Sequence, residues 1–260
     1  MTLLDPAERI ARGCETQSTL LAAPVTEPAT LFDSSWRDFV FAEVWNRPGL
    51  DRRSRYLVAI AGASCAMGPT EIVDGYVRGA LSMGELTLAE LCEGALHLAT
   101  YSSWSRGAYL DAAIKRVAAG LGLALPPFAP LRAEPWDPAQ RLADGALGFD
   151  TVMTYPGPPP VTPYFEGGIL NFVFGEMWSR PGLDQRSRRW ITLVGVAESS
   201  SEIPINTHIY SAMASGNATE AEMQEFVLQY AIHGGWPRAS VIQGAVIEQA
   251  KRLCAGEAFQ

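Results

Sequence analysis

The sequence predicts an all-α protein in which one helical bundle occurs twice. Three observations carry that prediction. EVWNRPGLD, Glu43 to Asp51, returns as EMWSRPGLD, Glu176 to Asp184, 133 residues later in a chain of 260, and a long internal period is the mark of a duplicated unit. Apolar residues recur at helical spacing in one segment after another. No segment shows the period-two alternation of a half-buried strand.

The repeat reaches well beyond nine residues. FAEVWNRPGLDRRSRYLVAIAG from Phe41 aligns with FGEMWSRPGLDQRSRRWITLVG from Phe174, about six helical turns of agreement. Upstream, DPAERIARG from Asp5 matches DPAQRLADG from Asp137; downstream, GALSMGELTLAELCEGALHLATYSSW from Gly79 matches SAMASGNATEAEMQEFVLQYAIHGGW from Ser211. The halves divide near Leu131 in the Pro-rich run LPPFAPLRAEPWDP, which gives units 1–131 and 132–260.

Each element has a local cause. WRDFVFAEVW reads as a helix that stops at Pro48-Gly49, where proline fixes φ and glycine supplies the freedom of a sharp turn. Asp51 is placed to N-cap RRSRYLVAIAGASCAM. EIVDGYVRGALSMG follows and closes at Gly84. Thr87 and Glu90 form a T-x-x-E capping box for LAELCEGALHLATY, repeated by Thr219 and Glu222. Gly234-Gly235 stops the last capped helix, and Pro237 falls in the first turn of the next, PRASVIQGAVIEQAKRL.

Composition narrows the functional classes. With 48% hydrophobic and 18% charged residues the chain can bury a large core. No apolar run approaches the ~20 residues of a membrane span, and MTLLDPAERIARG lacks a signal-peptide core; a cytoplasmic protein without a membrane partner is expected. A net charge of −8 and a pI near 5.0 argue against nucleic acid, which requires clustered Lys and Arg. Cys14, Cys65, Cys92 and Cys254 form no CxxC and no metal-ligand spacing, so they read as free thiols.

The E-[V/M]-W-x-R-P-G-L-D-x-R-S-R segment, the following helix related to H-x-R-G-A-L-x-x-G, and the T-x-x-E helix after it resemble the carboxymuconolactone decarboxylase family, in both halves. The resemblance implies an AhpD-like helical bundle, here a fused pair or pseudo-dimer, and a homo-oligomer, which for fused pairs can be a trimer. The family's peroxidase branch uses a CxxC thiol pair; the matching segments GASCAMGPTEIVDGY and GVAESSSEIPINTH hold one cysteine and none. Disulfide exchange needs two thiols. The decarboxylase branch is the better match, and it implies a small-molecule substrate, no metal and no cofactor.

The three histidines stand where the halves differ. His208 aligns with Tyr76, His97 with Gln229, and His233 with Tyr101. His208 holds the family's H-x-R-G-A-L histidine position; the first half has Tyr76 there but keeps Arg78, whereas the second has Tyr210 in place of that arginine. One working site per chain, centred on the second half, is expected. Glu93, His97 and Tyr101 are four residues apart, as are Glu225, Gln229 and His233, so each trio forms one helix stripe. Such stripes either make buried cross-helix hydrogen bonds or line an inter-unit pocket.

Trp45 and Trp178 read as packing anchors, each able to wall a pocket. Glu43 and Glu176 end a helix where a carboxylate opposes the dipole; either an ion pair with Arg55 or Arg188, or an acid-base role, would account for them. Loss of CO2 leaves two electrons on carbon, so a site must hold the carboxylate, stabilise an oxyanion, exclude water and return a proton. Arg180 or Arg188 is expected to clamp the carboxylate, His208 or Tyr210 to face the oxyanion, and Glu176 or His233 to deliver the proton.

The stretches GCETQSTLLAAP and GALGFDTVMTYPGPPP are nearly uncharged where single-unit decarboxylases carry a basic segment. This favours a larger, less charged or more aromatic substrate than a polycarboxylate. The leading expectation is a cofactor-free carboxy-lyase acting on an unsaturated lactone or related acid from aromatic breakdown. An isomerase or lactone hydrolase using the same acid-base groups is a second possibility, and a non-catalytic binding or assembly protein a third.

Overall fold

Capping residues set the helix starts where the sequence places them. In a computed structural model describing residues 4–132 and 134–259, the helices are, in chain order, α1 (Pro6–Leu21), α2 (Leu31–Ser35), a wide π-helix π1 (Trp36–Val44), α3 (Arg52–Ala66), α4 (Thr70–Ser82), α5 (Leu88–Tyr101) and α6 (Trp104–Gly120). They are followed by α7 (Pro138–Met153), π2 (Tyr164–Met177), α8 (Gln185–Ser199), α9 (Glu202–Ala214), α10 (Glu220–Gly234) and α11 (Trp236–Cys254). The ends of the expected units, Met1 to Leu3 and Gln260, and Ala133 beside their boundary lie outside the described residues. Among the described residues there is no strand, and no helix is long and apolar enough to cross a membrane.

Asp51 accepts from Ser54 N–H at 2.8 Å and Asp184 from Ser187 N–H at 2.9 Å. Both T-x-x-E boxes close, each Thr accepting from the Glu N–H and each Glu from the Thr N–H. One element departs from expectation: WRDFVFAEVW is mostly π-helical, with Trp45 N–H on the Val40 carbonyl at 3.1 Å and, in the second half, Trp178 N–H on Val173 at 3.1 Å. Apolar spacing does not separate i→i+5 from i→i+4 bonding, so this widening had no signal in the pattern.

The halves interlock rather than abut. α10 of the second half lies on α3 of the first, and α5 of the first lies on α8 of the second. Glycines permit both approaches: a Cβ on Gly62 would stand 3.1 Å from the His233 Cβ, and one on Gly195 would stand 2.8 Å from the Tyr101 Cβ. The N-termini of α3 and α8 meet reciprocally, Arg53 reaching Asp184 at 3.3 Å and Arg186 reaching Asp51 at 2.9 Å.

One continuous core draws on both halves, from Phe41, Tyr56 and Leu98 to Trp190, Phe226 and Val246. The second half has in addition a separate cluster of Phe149, Val152, Met153, Leu170, Phe174 and Trp178, on α7, π2 and the residue after π2. Its counterpart residues in the first half, Leu20, Phe41 and Trp45 among them, belong to the main core.

Candidate functional site

Two equivalent sites lie between the halves, each framed by an arginine pair on one carboxylate. Glu225 of α10 accepts from Arg47 Nε and Nη2 at 2.9 and 2.6 Å and from Arg55 Nη2 at 3.0 Å, while Gln229 Oε1 accepts from Arg55 Nη1 at 3.0 Å. Burial works against the Glu225 carboxylate, but the two arginines outweigh it and hold its pKa below the ordinary value. Glu93 of α5 repeats this with Arg180, at 2.9 and 2.7 Å, and with Arg188 at 3.6 Å. The motif glycines make room for the carboxylate stems, since a Cβ on Gly49 or Gly182 would come within 2.7 or 3.1 Å of the Cγ of Glu225 or Glu93.

This corrects the expectation for Arg180 and Arg188: their charge is committed to Glu93, as that of Arg55 is to Glu225. Glu43 and Glu176 are corrected too. Glu43 pairs with Arg9 of α1, whereas Glu176 accepts from the Arg132 N–H and lies 3.7 Å from Arg141 of α7. Neither meets Arg55 or Arg188. Glu176 braces the helix before the turn and is not brought to His208 or His233.

The site of the second half opens into a cavity of about 590 Å³. Its wall includes Trp104, Phe149, Tyr155, Tyr164, Phe165, Ile169 and Phe172, with Tyr101 and His208 among its polar groups, and no Asp, Glu, Lys or Arg. Tyr101 comes from the first half, and its ring meets that of His208 edge to face at 5.2 Å. Trp178 Nε1 donates to Tyr101 Oη at 2.7 Å. Behind them, fully buried His97 has Nε2 2.8 Å from Thr192 Oγ1, and its ring lies 5.0 Å from that of Trp178.

Burial, joined by the charge of Arg189, holds His208 well below the usual histidine pKa; His97 is lowered in the same way, with Arg188, Arg189 and His208 adding to burial. Arg189 is itself fully buried, with its guanidinium 4.8 Å over the Trp178 ring and Nη1 3.3 Å from His208 Nδ1.

The site of the first half is filled. His233, from α10, has Nε2 3.3 Å from Tyr76 Oη, and its ring packs on Tyr76 at 5.6 Å and on Trp36 at 5.9 Å. Burial pushes its pKa down to about 4. Trp36 stands where the second half has Ile169, and the hollow left beside it measures about 160 Å³. His208 and His233 thus occupy different sites, contrary to the expected convergence of Glu176, His208 and His233.

Of the remaining expected residues, Trp178, Tyr101 and His97 gather with His208, whereas Tyr76 and Gln229 belong with His233. Tyr210 does not share the His208 site: its hydroxyl donates to the Glu257 carbonyl at 3.3 Å and its ring packs on Phe259. Arg189 was missed by the sequence reading. A signal existed, because Arg189 aligns with Tyr56, a difference between the halves of the kind that singled out the histidines. The four cysteines are free, and among the described residues no three His, Cys, Asp or Glu side chains gather to hold a metal.

Comparison with known proteins agrees with the motif of the first half. The profile of the carboxymuconolactone decarboxylase family matches residues 31–116. A 4-carboxymuconolactone decarboxylase of Acinetobacter baylyi is 28% identical over 89 residues, 34% of this chain and 66% of that protein. A nitrosuccinic acid decarboxylase of Metarhizium robertsii is 30% identical over 106 residues, 41% of this chain and 66% of that protein. The chain spans just under two thirds of the length of either relative. With the motif, the capped helices and the all-α bundle in place, residues 31–116 of this chain match the carboxymuconolactone decarboxylase family.

Proposed function

We propose that the protein is a cofactor-free carboxy-lyase that removes CO2 from an unsaturated lactone or related carboxylic acid, and that it works in the open cavity of the second half. The wall of that cavity carries the reading. It is aromatic and apolar, holds no formal charge, and brings His208 and Tyr101 together. Both relatives are named as decarboxylases.

The chemistry suits such a wall. As the bond to the carboxylate carbon breaks, its electron pair passes into the conjugated carbonyl and spreads over a dienolate. A localised carboxylate loses hydration in an uncharged pocket and gains no cation there, while the dispersed dienolate needs less solvation. The enclosure therefore favours the transition state over the bound acid. His208, neutral in this environment, donates a hydrogen bond to the developing oxyanion. Tyr101 returns a proton to carbon, and the indole N–H of Trp178 on its oxygen stabilises the phenolate left behind. The absence of cations in the wall favours a substrate with a single carboxylate on an apolar or aromatic body.

The test is CO2 release from a panel of carboxyl-labelled unsaturated lactone acids, with wild type, His208→Asn and Tyr101→Phe. Release that falls sharply in both variants supports the reading. Release that neither substitution affects overturns the placement of the site. Conversion with solvent deuterium uptake and no CO2 assigns the same groups to an isomerase.

A further inference from the structure

The geometry points to Arg189 as the positioning residue that fixes the tautomer of His208 and places a positive charge behind it. The inference rests on the reading of the open cavity as the decarboxylation site. Among the described residues five arginines are buried, and four have a carboxylate partner: Arg37 with Asp38, Arg55 with Glu225, and Arg180 and Arg188 with Glu93. Among the described ion pairs Arg189 has none. Its Nη2 donates to the Val152 carbonyl at 2.6 Å, its Nε to Asn217 Oδ1 at 3.3 Å, and its Nη1 to His208 Nδ1 at 3.3 Å. Burying a guanidinium without a counter-ion is costly, so the position asks for an explanation beyond packing.

The other half supplies the control. Tyr56 stands at the equivalent position, and its hydroxyl donates to the Leu20 carbonyl at 2.6 Å, the counterpart of the Val152 bond. A neutral phenol therefore meets the structural demand of this position. What arginine adds is the bond to the imidazole. A guanidinium has donors only, so Nδ1 of His208 must accept and the ring proton sits on Nε2. His208 lines the cavity, and the proton on its other nitrogen serves as the donor to an oxyanion. As that oxyanion grows, the fixed charge behind the ring strengthens the bond, and Arg189 acts without touching substrate.

The experiment uses the full chain as wild type, Arg189→Tyr and Arg189→Lys. Nitrogen-15 spectra report the tautomer of each histidine, with His97→Gln and His233→Gln assigning the three signals. In wild type, Nδ1 of His208 is expected unprotonated and Nε2 protonated. Arg189→Tyr, which copies the solution of the first half, is expected to keep the fold, lose the fixed tautomer and lower kcat about 10²-fold with little change in KM. Arg189→Lys is expected to recover part of the rate. A protonated Nδ1 in wild type overturns the proposal whatever the other variants do. A folded Arg189→Tyr with unchanged tautomer and kcat overturns it as well. The expected tautomer in a wild-type protein that releases no CO2 from any substrate would instead count against the decarboxylase reading alone.

Discussion

The two sites share a frame and differ in what the frame encloses. In both, a glutamate from the opposite half holds two arginines, a motif tryptophan follows the π-helix, and a phenylalanine stacks on that tryptophan, at 6.4 Å for Phe41 and Trp45 and 6.3 Å for Phe174 and Trp178. Inside, Tyr56, Tyr76, Trp36 and His233 of one site are replaced by Arg189, His208, Ile169 and Tyr101 of the other. The first set packs into the main core. The second leaves an open cavity and a polar floor, which separates α7 and π2 as their own apolar cluster. The residues that recur therefore hold the halves together, and the residues that differ determine whether there is room for a ligand.

If the frame is structural, breaking it must harm both sites alike. Glu225→Gln leaves Arg55 buried beside an uncharged partner, and Glu93→Gln does the same to Arg188; each should cost about 3–5 kcal/mol, seen as a lower denaturation midpoint. A large loss in one and none in the other would show that the frames are not equivalent. The enclosed residues should behave in the opposite way. His208→Asn is expected to lower kcat about 10²–10³-fold, the range for one oxyanion donor, whereas His233→Asn should leave kcat nearly unchanged. Equal losses in CO2 release would mean that the filled site also turns over.

The turns and caps of the frame were legible in the sequence, its ion pairs were not, and the enclosed site was legible only in part. Capping boxes, Asp51 and Asp184, and the Pro-Gly turns are local chemistry, so their geometry follows from neighbours in the chain. The Glu93 and Glu225 stripes were visible by spacing, but spacing does not say which half a stripe faces. The interlocking of α5 on α8 and α10 on α3 therefore went unread, and His208 and His233 were placed together when His208 lines the site of its own half and His233 completes that of the opposite one. Glu176 was misassigned for a related reason. Its partners, Arg132 and Arg141, lie in the linker and α7, and the motif containing Glu176 gives no hint of them.

A single bulky residue should be enough to exchange the state of the two sites. Trp36→Ile removes the indole that packs on His233 and should cost about 2 kcal/mol, below the range for full truncation of a buried tryptophan because Trp36 is only partly buried and isoleucine refills part of the space. Ile169→Trp places an indole in the open cavity and should abolish turnover while changing the denaturation midpoint little. An Ile169→Trp protein with full activity would mean that substrate does not enter beside Ile169.

The smallest expected effect comes from protons. The three histidines are all held below the ordinary value of 6.5, His233 at about 4 by burial, and His97 and His208 by burial joined by neighbouring arginine charge. Each is neutral in the folded chain, whereas the unfolded chain takes up a proton near pH 6.5. Their contribution to stability is therefore complete above that pH and declines as pH falls toward 4, by about 1.4 kcal/mol per pH unit for each histidine. Replacing one of them should make the decline shallower by that amount. His233→Gln is the informative case, because the shift of His233 depends on burial in the filled site alone. Denaturation midpoints of wild type and His233→Gln should converge between pH 6.5 and 5; parallel curves would show that His233 accepts its proton in the folded protein and that water reaches the filled site.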